Sequence, residues 1–119
     1  MSAIVRIFSH AELVNARVST TGGGAQMAYS VLLLSQPYLG GEVLTATTGS
    51  AVSSDAATAP AKTSILHIEV QAGSTVHYEV TPQSQTARTA TTSSPTVSGH
   101  NNIAFGPGWT LSVLEATNP

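Results

Sequence analysis

The chain has 119 residues, with four Lys or Arg against six Asp or Glu, four His and no Cys. That length suits one domain able to bury a core without staples, and the lack of Cys excludes a disulfide framework, a thiolate zinc site and a Cys nucleophile. Only 8% of residues are charged, net −2; four cations are too few to neutralise a run of phosphates or to dock on an anionic bilayer, so neither nucleic acid nor membrane is expected as a partner.

Strand signals run through the sequence. The opening MSAIVRIFSHAEL lacks the basic-then-apolar pattern of a signal peptide, which leads us to expect synthesis in a cytoplasm. Within it, Ala3 to Phe8 is a β-branched and aromatic run, and residues 1–12 are a candidate assembly arm. Leu13 to Thr20 follows, broken by Gly22-Gly23-Gly24. Met27 to Ser35 is the strongest buried-strand candidate; its apolar run Val31-Leu32-Leu33-Leu34 is far short of a membrane span. Gln36-Pro37 ends it, and Gly40-Gly41 precedes a strand from Glu42 to Thr48. Residues 49–63 are a long small-residue loop with room for a short helix at Ser54 to Thr58. Strands are expected at Ser64 to Gln71 and Ser74 to Thr81, the latter stopped by Pro82. Residues 83–95 (QSQTARTATTSSP) lack apolar periodicity and form a second long loop. Thr96 to Ser98, Ile103 to Phe105 and, after Gly106-Pro107-Gly108, Trp109 to Glu115 complete the set.

Many short strands with Gly and Pro punctuation and almost no helix signal predict an all-β chain. We expect 1–119 to form one antiparallel β-sandwich or barrel, jelly-roll-like. The expected core is Ile4, Ile7, Phe8, Val31, Leu33, Leu66, Ile68, Val70, Val76, Tyr78, Val80, Ile103, Phe105, Trp109, Leu111 and Val113.

The sharpest internal feature is an echo at an offset of ten: residues 64–71 read SILHIEVQ and 74–81 read STVHYEVT. Leu66, Ile68, Val70, Val76, Tyr78 and Val80 share one parity; His67, Glu69, His77 and Glu79 share the other. A hairpin closed by Ala72-Gly73-Ser74 would keep the apolar set on one face. It would set Glu69 opposite His77 and His67 opposite Glu79, two opposite-charge pairs or, read chemically, two His and two carboxylates around a divalent metal. The first reading, a polar outer face, is preferred, and no metal or cofactor is expected.

Other chemistry is weakly signalled. The Gly22-Gly23-Gly24 run lacks the Lys-Ser/Thr of a phosphate loop, no Gly-x-Ser-x-Gly elbow is present, and six acids pick out no glycosidase pair. No catalytic residue is assigned and the protein is not expected to be an enzyme. The polar load falls instead on 15 Ser and 16 Thr. Neutral hydroxyls are cheaper to desolvate than ions, so such a surface suits burial against other proteins. Tyr38, Lys62 and Arg88 are the candidate interface residues.

The stretch Ser64 to Glu115, with its Thr/Ser loop and its Gly-Pro-Gly turn into an aromatic-led strand, in a short charge-poor chain, resembles the small decoration or cement proteins of tailed-bacteriophage capsids. The resemblance implies a virion structural protein on the outer capsid surface, often a homotrimer, that bridges neighbouring subunits of the major capsid protein. It transfers no functional residues. The alternative expectation is a receptor- or glycan-binding β module of a phage tail fibre or adhesin, with Tyr38 and the His/Glu face as its site.

Overall fold

Period-two alternation is the source of the architecture. The computed structural model of the chain describes residues 2–11, 13–22, 25–34 and 37–117, of which 13–22 and 25–34 are described by their backbone alone. Its strands are β1 (Ser2–His10), β2 (Leu13–Gly22), β3 (Ala25–Leu34), β4 (Gly40–Thr47), β5 (Val52–Ser53), β6 (Ile65–Val70), β7 (Val76–Thr81), β8 (Thr96–Val97), β9 (His100–Ala104) and β10 (Thr110–Glu115). One 3-10 turn, Ala56–Thr58, takes the place of the short helix expected there; the Asp55 carboxylate caps it by accepting from the Ala57 N–H.

Two four-stranded antiparallel sheets form a sandwich, in the orders β4-β1-β6-β9 and β5-β10-β7-β8. A third, two-stranded sheet is the β2–β3 hairpin. The core lies between the large sheets: Ala3, Val5, Ile7, Leu44, Ala46, Leu66, Ile68 and Val70 from one, Val76, Leu111 and Val113 from the other, with Phe105. The β-sandwich expected from the sequence is therefore the fold.

Two expectations are corrected. Within the span expected as an assembly arm, Ser2–His10 form β1, an inner strand paired with β4 on one side and β6 on the other. On β1 the buried residues are Ala3, Val5, Ile7 and Ser9, with His10 buried at the strand's end. Ile4 and Phe8 carry the opposite parity and are only partly buried, on the outer face. The 64–81 echo is not a hairpin: β6 and β7 belong to different sheets, and Gln71-Ala72-Gly73-Ser74 carries the chain across the sandwich. Gly73 supplies a left-handed conformation within that crossing, with φ 84°. The expected core positions Val31 and Leu33 have side chains outside the described residues.

Loop 83–95 closes over the outside of the second sheet. The Ala90 N–H donates to Ser112 Oγ (2.9 Å), and Ser94 Oγ donates to Glu79 Oε2 (2.7 Å). That cover explains why Ser112 and Leu114 are buried although they alternate with core residues. At the start of β10 the Trp109 indole lies over the preceding turn. A Cβ on Gly106 would stand 2.6 Å from Trp109 Nε1, so the turn needs glycine there.

Candidate functional site

The outer face of the β4-β1-β6-β9 sheet collects the chemistry-bearing side chains. Strand alternation turns Leu66, Ile68 and Val70 inward and His67 and Glu69 outward. β9 pairs with β6 so that His67 stands opposite Asn102 and Glu69 opposite His100. On the other flank Arg6 is opposite Glu69 and Phe8 opposite His67. The face thus carries one row of Val43, Arg6, Glu69 and His100, and a second of Gly41, Phe8, His67 and Asn102.

Three of these side chains converge. His67 Nε2 lies 3.5 Å from Glu69 Oε1, and His100 Nδ1 lies 3.6 Å from the same oxygen. The two imidazoles tilt against each other with centroids 5.5 Å apart. His67 Nδ1 approaches Asn102 Oδ1 to 2.7 Å. An amide oxygen only accepts, so Nδ1 is the donor in that contact and Nε2 is the ring nitrogen on the Glu69 side.

His77 and Glu79, grouped with His67 and Glu69 by the sequence echo, lie on β7 in the opposite sheet and turn outward beneath loop 83–95. His77 Nδ1 is 2.9 Å from the Ser94 carbonyl, while Glu79 accepts from the Ser94 hydroxyl. Both are tied into the loop's attachment, and the four-residue metal set is not assembled. Its place is taken by His100, which the sequence reading missed. The available signal was the polar His100-Asn101-Asn102 run leading into the apolar Ile103 to Phe105 segment, but only the β6–β9 register brings it to His67.

Beside the cluster lies an apolar and aromatic patch. Tyr38 is 51% exposed, Leu39 40% and Val43 59%. The Tyr38 ring meets Phe8 edge-on at 5.1 Å. Lys62 is exposed at the third position of a Pro60–Thr63 turn, with φ 76°. Arg88 is exposed too, but it reaches back into its own fold: Nη1 donates to the Val80 carbonyl (3.3 Å) and its N–H to Thr81 Oγ1 (2.8 Å). Arg88 therefore anchors loop 83–95, and Tyr38 is the one of the three candidate interface residues that shares a face with other exposed apolar groups.

Among the described residues there is no pocket, and no helix is long and apolar enough to cross a membrane. No protein-family model matches the chain, no curated protein matches it in sequence, and no solved structure matches its fold.

Proposed function

We propose that the protein is a virion structural component, a decoration protein on the outer capsid surface that acts by contact and performs no catalysis. Its partners are the major capsid protein and further copies of itself, as a trimer; it is made in the host cytoplasm and works on the particle.

The β2–β3 hairpin carries this reading. Among the described residues its strands pair only with each other. Their register matches Val14 with Leu33, Ala16 with Val31, Val18 with Tyr29 and Thr20 with Met27; the alternate pairs are Leu13 with Leu34, Asn15 with Leu32, Arg17 with Ser30, Ser19 with Ala28 and Thr21 with Gln26. Alternation therefore gathers the more apolar set at one parity and a mixed set, three leucines among it, at the other. A two-stranded ribbon is marginal alone in water and gains stability when its apolar side is covered. Ten residues of strand span about 33 Å, and the molecule measures 59 × 36 × 21 Å. An element of that reach suits contact with a neighbour.

The exposed Tyr38, Leu39 and Val43 offer a second contact surface. Loop 83–95, exposed over 83–89, offers a third. On a symmetric shell several such contacts per copy multiply through effective concentration, so modest surfaces suffice. The test is particle heat resistance: virions assembled without this chain release their contents at lower temperature than complete ones, and adding the purified protein restores them. Equal heat resistance would refute the proposal.

The second reading, a glycan- or receptor-binding module, draws on one observation, the exposed Tyr38 ring set edge-on against Phe8. A glycan array probed with the protein and with Tyr38→Ala separates the two, since binding that disappears with the ring favours the second.

A further inference from the structure

We propose that His67, Glu69 and His100 form a surface zinc site with Asn102 as its outer support. The argument begins with two distances. At 3.5 and 3.6 Å from the imidazole nitrogens, Glu69 Oε1 is at or beyond the limit of a useful hydrogen bond. Ligand atoms around a tetrahedral Zn²⁺ bound at about 2.0–2.1 Å stand about 3.3–3.4 Å from one another. The separations present are long for hydrogen bonding and close to the edges of that tetrahedron. The candidate ligand atoms of the three residues all lie within 4.8 Å of each other, and His100, 69% exposed on an edge strand, has room for the small rotation that closes the third edge.

Donor chemistry agrees. Two imidazoles and one carboxylate suit a borderline divalent ion such as zinc better than Mg²⁺ or Ca²⁺, which prefer all-oxygen shells. A bound His commonly donates its other ring N–H to a carbonyl or carboxylate, which fixes the tautomer and raises ligand basicity. The His67–Asn102 bond at 2.7 Å does this. It holds the Nδ1 proton away from the cluster and leaves Nε2 as the metal-facing atom. Arg6, opposite Glu69 on β1, is the charged neighbour that opposes a cation here. Three protein ligands leave a fourth position facing outward, to be filled by water or by a donor from a neighbouring molecule. The site joins β6 to the edge strand β9, so a bound ion clamps that edge. This inference is independent of the capsid reading.

Calorimetric titration of the untagged protein with ZnCl₂, with imidazole NMR in parallel, provides the test. One ion per chain is expected, with shifts at His67 and His100 and none at His77, and with a raised melting temperature. His100→Ala, on an exposed edge, and Glu69→Gln should each weaken binding at least tenfold, whereas His77→Ala should not. Absence of binding up to millimolar zinc, equal affinity in wild type and His100→Ala, or shifts centred on His10 or His77 would overturn the assignment.

Discussion

His67 and Asn102 face each other across β6 and β9, and the imidazole Nδ1 lies 2.7 Å from the amide oxygen. This bond selects one tautomer of an outward-facing histidine and aims its other nitrogen at Glu69. Replacing Asn102 with Ala removes the acceptor without touching a ligand. Nitrogen-15 NMR of the imidazole should then show His67 losing its bias toward the Nδ1–H form. Zinc affinity should fall about 10–100-fold, the usual cost of losing such a partner.

The sandwich core assigns sharply different costs to neighbouring apolar residues. Ile7 and Ile68 are fully buried and are register partners, whereas Val43 is 59% exposed. Ile7→Ala or Ile68→Ala should cost about 2–5 kcal/mol, and Val43→Ser should stay within about 0.5 kcal/mol. Urea denaturation of the three variants measures this difference.

Ser94 is one of the ties that hold loop 83–95, alongside the Arg88 and Ala90 hydrogen bonds. Its hydroxyl donates to Glu79 and accepts from the Thr91 N–H, at 2.7 and 3.0 Å. Ser94→Ala strands both groups, and we expect a loss of about 1–3 kcal/mol. Hydrogen exchange should quicken first at Ala90 and Thr91, before the β6 amides.

Lys62 sits in the left-handed region at φ 76°, a conformation that costs a non-glycine residue about 1–2 kcal/mol. Lys62→Gly should therefore stabilise the chain by about 0.5–1 kcal/mol, after the extra entropy of an unfolded glycine is deducted. The melting temperature should rise by a few degrees. A fall would mean that the lysine side chain contributes more than its backbone strain costs.

Much of this fold was legible because alternation is a local signal. The outward parity of His67 and Glu69 follows from Leu66, Ile68 and Val70 alone. β1 was harder: Ile4, Val5, Ile7 and Phe8 put large residues on both parities, and the small Ala3 and Ser9 that mark the true inner side carry little hydrophobic signal. The 64–81 echo misled because identical parity fits a hairpin and a crossing between sheets equally well. What separates them is whether β1 and β10 claim the neighbouring edges, a long-range fact. The candidate site was half visible for the same reason. His67 and Glu69 are two residues apart on one strand, while His100 arrives through a β6–β9 pairing with no local signature. Val52–Ser53 was missed as a strand because two residues are too few to alternate.

The central claim, that this surface works by being covered, is tested most directly by sedimentation of the untagged chain from micromolar to millimolar concentration, alongside a variant with residues 13–34 replaced by a short glycine-serine linker. The account predicts concentration-dependent association toward a trimer in the wild type, and a folded monomer in the variant. A wild-type chain that remains monomeric throughout would contradict it.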